Sequence, residues 1–444
     1  MLRLSIDLLI KIIMKPKDDF KVTEEKSDQE NMIFPEGFLW GASTSSHQVE
    51  GGNHNDWSNW ENSQERINYL KSEGQIEKYG LENFISGSAT DHYNLFEQDF
   101  KLTKELGHNA TRISLEWSRI ESSENEFDEK EIEHYKKVIS TLRKLGIEPF
   151  VTIWHWSIPL WFRDMGSWEN RKAPYYFARY VKKIVSSLGP DVKFWLTLNE
   201  PEIYTDNSYF NGVWPPQKKS KIAYFRVMRT LIKIHRKAYV IIKKINPEAQ
   251  VGIAKNNIYY EAYQGKLINR ILKAKIDWWW NFYFLNKIKN HQDFIGLNHY
   301  FHNRIDGSLG KNENLRTSDM GWELYPEAIY HVLMDLKRYK KPVYITENGL
   351  ADSADRQRAW FIYESLKNIY KAISEGADVR GYLHWSLMDN FEWDKGFWPR
   401  FGLIEIDRKT LKRKVRPSAY FYRDICLANG ITRETIDKYK EKIK

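Results

Sequence analysis

Hydrophobic and polar positions along the chain repeat one pattern, in which an amphipathic helical segment ends near a glycine and a short apolar segment follows. Within residues 129–145 the apolar positions recur at helical spacing, at Ile132, Tyr135, Val138, Ile139, Leu142 and Leu145. Four such segments end at Gly107, Gly146, Gly189 and Gly376. Because glycine adopts the left-handed conformation that closes a helix, the pattern predicts helices that alternate with buried strands.

Eight apolar segments have the length and position of strands. They cover residues 38–42, 110–117, 149–154, 194–199, 251–254, 294–298, 343–346 and 379–386. Strands that alternate with helices form right-handed parallel units. Eight such units predict an α/β fold, a (β/α)8 TIM barrel whose active site lies at the C-terminal ends of the strands. The alternative, an open doubly wound sheet, would usually carry a glycine-rich phosphate turn after its first strand, and this sequence has none there.

The chain is predicted to form a single domain, because no linker rich in proline or serine divides residues 33–425. We expect the barrel over residues 33–430 and a charged C-terminal tail over residues 431–444. Residues 1–32 are predicted to be an N-terminal appendage, either flexible or the result of a mis-assigned start. Its first fourteen residues are apolar, but Asp7 and Lys11 interrupt them and no small-residue cleavage site follows, which disfavours a signal peptide. A membrane-surface anchor stays an alternative for them.

Composition and charge exclude several classes of protein. With 42% hydrophobic and 29% charged residues, the chain has the composition of a globular protein. A net charge of +9 is compatible with nucleic-acid binding, but basic and acidic residues are interleaved, so no nucleic-acid partner is expected. Cys426 is the only cysteine, which excludes an intrachain disulfide, and no apolar run is long enough to span a membrane. We therefore expect a cytoplasmic protein of unknown oligomeric state, without stable membrane insertion.

Two glutamates carry the chemistry that the barrel pattern suggests. Glu200 lies directly after an apolar strand and before Pro201, and Glu347 lies after another strand and before Asn348. A carboxylate at a strand end is exposed to substrate and is held by a rigid element. Glycoside hydrolysis needs two such groups, an acid that protonates the leaving oxygen and a carboxylate that acts as nucleophile or base. The alternative for each glutamate is a carboxylate that caps the following helix.

Short motifs occur in a specific order over roughly residues 33–425. They are Phe34-Pro35, Phe38-Leu-Trp-Gly41, Gln48-Val-Glu-Gly51, Asp91-His-Tyr93, Trp117-Ser-Arg119, His155-Trp156, Asn199-Glu-Pro201, Asp293-Phe-Ile-Gly-Leu-Asn-His-Tyr300, Asp319-Met-Gly-Trp-Glu323, Glu347-Asn-Gly349, Trp385-Ser-Leu-Met-Asp-Asn-Phe-Glu-Trp393 and Arg400-Phe-Gly402. In this combination the chain resembles glycoside hydrolase family 1, the retaining glycosidases of the β-glucosidase type.

The resemblance implies a role for each of these residues. It makes Glu200 the general acid/base and Glu347 the nucleophile of a double displacement through a covalent glycosyl-enzyme, with Arg112 and Tyr300 in contact with the Glu347 carboxylate. The residues implied to bind the sugar are Gln48, His155, Asn199, Glu392 and Trp393 at its hydroxyls, Trp385 beneath it, Asn298 and Phe401 in the same pocket, and Trp322 as a platform on the aglycone side. Taken alone, Arg112 could instead form a structural ion pair, and His155 and Trp385 could simply pack in the core.

The activity implied by the resemblance is exo-hydrolysis of terminal non-reducing β-D-glucosyl residues, with galactosyl and fucosyl residues as further substrates. Substrates would be β-linked oligosaccharides or aryl and alkyl β-glycosides. Family members that act on 6-phosphorylated sugars lack the glutamate at position 392, and thioglucosidases replace the acid/base with glutamine, so Glu392 and Glu200 favour O-glycosides with a free 6-hydroxyl. No metal-ligand or phosphate-loop motif occurs, and neither metal nor cofactor is expected. A transglycosidase that uses the same site and a sugar-binding pseudoenzyme are the alternatives.

The segment between the fifth and sixth predicted strands departs from the family pattern. Residues 258–292 are shorter than the ordered excursion that relatives usually carry, and they contain a basic helix-like stretch followed by aromatic residues. One interpretation is a compact helix whose aromatic side chains plug the barrel wall, and another is an open aglycone side with broad specificity. Glu202 stands where many relatives have an aromatic residue, so the contacts with the aglycone are expected to differ from those of the family here as well.

Overall fold

The computed structural model of the protein describes residues 31–444, so the predictions made for residues 1–30 lie outside the described residues. Eight parallel strands close into a barrel, which confirms the predicted architecture. The strands are β1 (Leu39–Ser43), β2 (Ala110–Ser114), β3 (Glu148–Thr152), β4 (Phe194–Asn199), β5 (Gln250–Asn256), β6 (Ile295–Asn298), β7 (Val343–Glu347) and β8 (Val379–Trp385). The second strand ends before Trp117, contrary to the predicted range, because Trp117–Ile120 forms a helical turn.

Helices alternate with the barrel strands and cover their outer face. They are α1 (His92–Glu105), α2 (Glu129–Lys144), α3 (Ala173–Leu188), α4 (Lys221–Ile245), α5 (Tyr283–Ile288), α6 (Ala328–Leu336), α7 (Arg358–Ser374) and α8 (Pro417–Ala428). Further short helices lie in the connections, among them Asp56–Glu61, Gln64–Ser72, Pro201–Thr205 and Leu267–Asp277. Within residues 31–444, no helix is both long and apolar enough to cross a bilayer.

Three of the four glycines expected to cap helices have the left-handed conformation. Gly107, Gly146 and Gly376 have φ angles of 72°, 68° and 86°, as a glycine just past a helix end should. Gly189 differs, with φ near the right-handed value of −55°, because a 3-10 turn over Gly189–Asp191 continues directly from α3. The predicted left-handed cap at Gly189 is therefore wrong, although the helix ends where expected.

Aromatic side chains fill the N-terminal half of the barrel interior. Phe150, Phe194, Phe294 and Tyr344 are buried together there, and the rings of Phe150 and Phe194 stack at 4.3 Å between centroids. Their positions near the starts of β3, β4, β6 and β7 follow from the alternation of inward and outward side chains along a strand. This plug separates the N-terminal end of the barrel from the cavity at the C-terminal strand ends.

The two ends of the described chain meet on the barrel surface. The strand Met32–Ile33 pairs with Gly430–Ile431 in antiparallel orientation. The helix Arg433–Tyr439 follows and buries Ile436 and Tyr439, and the Tyr439 ring lies 5.2 Å from that of Phe421. The segment 431–444, expected to be a charged tail, thus lies partly against the body of the protein, because its few apolar residues share one face.

Candidate active site

A cavity of about 570 Å³ opens at the C-terminal end of the barrel. The predicted site residues that line it are Gln48, His155, Glu200, Tyr300, Trp322, Glu347, Trp385, Glu392, Trp393 and Phe401. The remaining predicted residues, Arg112, Asn199 and Asn298, lie behind this lining and hydrogen-bond to it. All the predicted catalytic and sugar-binding residues therefore belong to one site.

Glu347 ends strand β7 and is held by a cation and a hydroxyl. The guanidinium of Arg112, on β2, pairs with Glu347 Oε1, and the Tyr300 hydroxyl donates to Glu347 Oε2 at 2.8 Å. Arg112 is fully buried, and it also donates to Thr152 Oγ1 at 2.9 Å and to Asn199 Oδ1 at 2.7 Å. A buried arginine with all three guanidinium nitrogens engaged holds its carboxylate partner in one position and favours the charged form of that partner.

Glu200 follows strand β4, and its carboxyl accepts hydrogen bonds from two neutral amides of the described part of the chain. Its Oε1 accepts from Asn298 Nδ2 at 2.9 Å and from Asn256 Nδ2 at 3.2 Å. Its backbone has a left-handed φ of 37°, fixed by a hydrogen bond of 2.8 Å from the Glu200 amide to the Ala254 carbonyl. A non-glycine residue in this conformation is strained, and such strain is often found at functional sites.

The different partners of the two glutamates separate their proton affinities. Burial and the negative charge of Glu347 raise the pKa of Glu200 to about 8. Burial raises the pKa of Glu347 as well, but the charge and hydrogen bond of Arg112 and the Tyr300 hydroxyl oppose it. Arg112 and Tyr300 therefore favour the ionised form of Glu347, whereas burial and the charge of Glu347 favour the protonated form of Glu200.

A chain of hydrogen bonds fixes the orientation of His155. The Asn199 Oδ1 accepts from Arg112, so its Nδ2 is the donor that points at His155 Nε2, at 2.9 Å. His155 Nε2 must then be an acceptor, which places the proton of the neutral ring on Nδ1. Burial and the charge of Arg112 lower the His155 pKa well below its usual value, and within the described residues Nδ1 has no partner. This buried, unsatisfied donor suits a substrate hydroxyl.

Gln48 and Glu392 form a second polar group on the cavity wall. Gln48 Nε2 donates to the Phe391 carbonyl at 2.8 Å and lies 3.3 Å from Glu392 Oε2. Burial and the charge of Glu347 raise the pKa of Glu392 to about 8. An amide and a carboxyl side by side can bind two adjacent hydroxyls of one sugar.

Aromatic rings form the remaining walls. Trp393 lies 4.8 Å from Trp156 between ring centroids, and Trp385 is buried beside Phe401. Trp322 packs against Phe301, with ring centroids 4.6 Å apart, and lines the cavity together with Met320. These flat apolar faces suit the carbon-bound faces of sugar rings and of aromatic aglycones.

Sequence reasoning missed several residues that line the cavity. Asn256, Trp214, Arg66 and Lys219 were not predicted. Asn256 had a signal, since it lies just past the apolar run of the fifth predicted strand. Arg66 and Lys219 had none, because they come from long connections whose paths over the barrel mouth the apolar pattern does not determine.

The shortened segment 258–292 lies outside the cavity lining. It contains the strand Tyr259–Ala262, the helix Leu267–Asp277, a π-helical turn over Trp278–Phe282, and α5. Trp279 packs on Phe225 with a centroid distance of 5.2 Å. No residue of 258–292 lines the cavity described above. Across residues 31–444, no group of three or more histidine, cysteine or acidic side chains is arranged to hold a metal ion.

The structure combines a closed parallel barrel with two buried carboxylates in a cavity at the C-terminal strand ends. This arrangement defines a class of glycoside hydrolases. The family model described as glycosyl hydrolase family 1 matches residues 30–284 and 261–431. The chain therefore belongs to this family of glycosidases, as its motifs suggested.

Relatives of known activity and structure cover most of the chain. The beta-glucosidase A of Thermotoga maritima is 32% identical over 455 residues, which span 90% of this chain and 98% of that protein. A beta-galactosidase of Saccharolobus solfataricus is 30% identical over 482 residues, spanning 90% and 96%. Among solved structures, the beta-glycosidase from Pyrococcus horikoshii is similar with a TM-score of 0.82 at 36% identity, covering 92% of this chain and 98% of that one. The similarities support β-glycosidase activity.

Proposed function

We propose that the protein is a retaining exo-β-glycosidase that removes terminal non-reducing β-D-glucosyl residues, and also galactosyl and fucosyl residues. The observation that carries the proposal is that the two cavity carboxyls have different partners. Glu347 is bound by a guanidinium and a hydroxyl, and Glu200 is bound by two amides. Such a pair supplies one ionised nucleophile and one acid at the same pH.

In the first step of this mechanism Glu200 protonates the glycosidic oxygen while Glu347 attacks the anomeric carbon. The bond to the aglycone breaks and a glycosyl ester with Glu347 forms. Esterification removes the negative charge of Glu347, which was one cause of the high pKa of Glu200. Glu200, now ionised because its proton left with the aglycone, accepts a proton from water in the second step. That water attacks the same carbon, releases the sugar with its original β configuration, and regenerates Glu347.

The proposed preference for a terminal sugar rests on the polar groups at the closed end of the cavity. Gln48, Glu392 and His155 offer donors and acceptors to hydroxyls, and the aromatic plug closes the barrel below them. Gln48 and Glu392 together can accept a 4-hydroxyl in either orientation, which favours both glucosides and galactosides. The beta-glucosidase and beta-galactosidase names of the relatives agree with this dual preference.

The aglycone side is proposed to be open and its specificity broad. Support comes from the cavity lining. Residues 258–292 contribute nothing to it, and its apolar surface on this side comes from Trp322, Phe301 and Met320. β-Linked oligosaccharides and aryl or alkyl β-glycosides are the proposed substrates, and a strict preference for one disaccharide would contradict the open side. A cytoplasmic location is also part of the proposal, supported by the single cysteine of the sequence.

Hydrolysis of p-nitrophenyl β-D-glucoside, galactoside, fucoside and mannoside tests the proposed function, with the α-D-glucoside as the matched control. We expect turnover of the β-glucoside, galactoside and fucoside and none of the α-glucoside. Proton NMR of the first product should show the β-anomer before mutarotation. Accumulation of transfer products at low substrate concentration would favour the transglycosidase, and glucose binding without any turnover would favour the pseudoenzyme.

The dependence of kcat/KM on pH is expected to be bell-shaped. Activity requires Glu347 ionised and Glu200 protonated, so it should fall as pH decreases through the pKa of Glu347. It should also fall as pH rises past the pKa of Glu200, about 8. Initial rates on p-nitrophenyl β-D-glucoside from about pH 4 to about pH 10 measure both limbs. A kcat/KM that keeps rising through the alkaline range would contradict the assignment of Glu200 as the acid.

A further inference from the structure

A buried ion pair lies directly behind the acid/base candidate. Lys255, on β5, and Glu202, in the helix Pro201–Thr205, are 2.6 Å apart between Nζ and Oε1, and both side chains are almost fully buried. Lys255 Nζ also donates to the carbonyls of Asn256, at 2.5 Å, and of Trp280, at 2.8 Å. The lysine thus has three acceptors and no contact with solvent.

The pair does not face the cavity. Successive side chains of a strand point to opposite faces, so Asn256 reaches the cavity while Lys255 points away from it, toward the segment that contains Trp280. Accordingly Asn256 lines the cavity, and Lys255 and Glu202 do not. A direct contact of the ion pair with a bound sugar is therefore not expected.

Two connections nevertheless link the pair to Glu200. Glu202 Oε1 accepts a hydrogen bond of 2.9 Å from the backbone amide of Asn256, whose side-chain Nδ2 donates to Glu200 Oε1. Trp280 Nε1 donates to Asn256 Oδ1 at 3.3 Å, which fixes the amide in the orientation that presents Nδ2 to Glu200. The second connection is electrostatic, because the charges of Lys255 and Glu202 both act on Glu200 from close range.

A purely structural role explains the pair poorly. Two charges without access to water are costly to bury, and well-packed apolar side chains of similar size are often at least as stable. Glu202 Oε2 moreover has no hydrogen-bond partner within residues 31–444. The pair combines charges at this depth with a hydrogen-bond path through Asn256 to Glu200.

We propose that Lys255 and Glu202 are positioning residues for the acid/base: they hold the Asn256 amide that orients the Glu200 carboxyl, and the Glu202 charge offsets that of Lys255, which would otherwise favour loss of the Glu200 proton before the first step. The proposal rests on the proposed role of Glu200. With the pair intact, the Glu202 charge raises the pKa of Glu200 and the Lys255 charge acts on Glu200 in the opposite sense. Loss of the Glu202 charge alone leaves Lys255 uncompensated, which stabilises the ionised form of Glu200.

The other charged groups around Glu200 stay unchanged when the pair is altered. Glu347 on β7 faces it and raises its pKa, Arg112 on β2 lies behind Glu347, and Glu392 after β8 acts on Glu347. Within residues 31–444, the Glu200 carboxyl accepts from the neutral amides of Asn298 and Asn256, and the Tyr300 hydroxyl near it is neutral. A shift confined to Glu200 can therefore be traced to the pair.

The test compares the pH dependence of kcat/KM for the wild type, Glu202→Gln, Lys255→Met and the double variant. Glutamine keeps the acceptor for the Asn256 amide and removes only the charge. We expect Glu202→Gln to lower the apparent pKa of the alkaline limb by about one pH unit. The double variant is again neutral at this position, so its alkaline limb should return close to the wild-type value. Lys255→Met should leave that limb at or above the wild-type value. The acid limb should stay in place in all three variants, because the partners of Glu347 are intact.

A second readout makes the test independent of turnover. The carboxyl carbon signals of ¹³C-labelled glutamate give the pKa of Glu200 directly, once the Glu200 signal has been assigned by its loss in Glu200→Gln. Equal alkaline limbs and equal Glu200 titrations in all four proteins would overturn the proposal, as would a double variant displaced as far as Glu202→Gln. A wild type that titrates normally but hydrolyses nothing contradicts the proposed function instead. Thermal denaturation of each variant identifies any that fails to fold, and the double variant, without an unpaired buried charge, is the one expected to be most stable of the three.

Discussion

Glu347→Ala is expected to lower kcat on p-nitrophenyl β-D-glucoside by on the order of 10⁴-fold or more, because it removes the group that forms the covalent bond to the sugar. The cavity left by the carboxylate is bordered by Arg112 and Tyr300, whose guanidinium and hydroxyl then face empty space. Both groups would attract a small anion to that position. The loss should therefore be reversible by an external nucleophile.

Added azide is the measurement that identifies the role of Glu347. In Glu347→Ala, azide should attack from the side that the carboxylate occupied and give the inverted product, an α-glycosyl azide, with Glu200 still serving as acid. Glu405→Ala is a suitable control, since Glu405 lies on the outer strand Ile404–Ile406 beside Lys414 and away from the cavity. Wild-type activity in Glu347→Ala, or rescue that yields a β-glycosyl azide, would contradict the assignment.

The barrel was predictable because it is encoded locally. Each strand is a short apolar run, and the helix before it has apolar residues at helical spacing, as in α2, where Ile132, Tyr135 and Leu142 are all buried. Glu200 and Glu347 were predictable for a related reason: a carboxylate just past a buried strand must lie at the mouth of a barrel. Their unequal proton affinities do not follow from the strand pattern, because they depend on Arg112, Tyr300 and the amides that the fold brings together; only the family resemblance implied the contacts of Arg112 and Tyr300 with Glu347.

Features that depend on distant contacts were missed. Lys255 and Glu202 are far apart in the sequence, and a lysine next to Asn256 gives no sign of being fully buried. The charged residues of segment 431–444 predicted a charged tail, and they gave no sign that Ile431 and Ile436 are buried. In both places a distant part of the chain buries these side chains, and the local composition of the sequence does not predict such burial.

Glu200→Ala should separate substrates by their leaving groups. For alkyl glucosides or cellobiose, whose leaving oxygen needs protonation, we expect kcat/KM to fall on the order of 10³-fold. For 2,4-dinitrophenyl β-D-glucoside, whose leaving group departs without an acid, kcat/KM should change little, because Glu347 and its partners are intact. Removal of the proton held by Glu200 should also abolish the alkaline limb of kcat/KM near pH 8, which Glu200 sets in the wild type.

The same variant should respond to azide with the opposite stereochemistry. Without Glu200 the glycosyl-enzyme on Glu347 lacks a base to activate water and accumulates, so that kcat on the dinitrophenyl substrate falls although kcat/KM does not. Azide needs no base and attacks the ester from the side facing Glu200, which gives a β-glycosyl azide with retained configuration. Asn256→Ala is the matched comparison, because it removes one hydrogen bond to the Glu200 carboxyl and leaves the carboxyl itself. Its loss of kcat/KM on the alkyl glucosides should be much smaller than that of Glu200→Ala, and azide should not accelerate it. An equal loss for both leaving groups in Glu200→Ala would instead indicate that Glu200 holds the site together without transferring a proton.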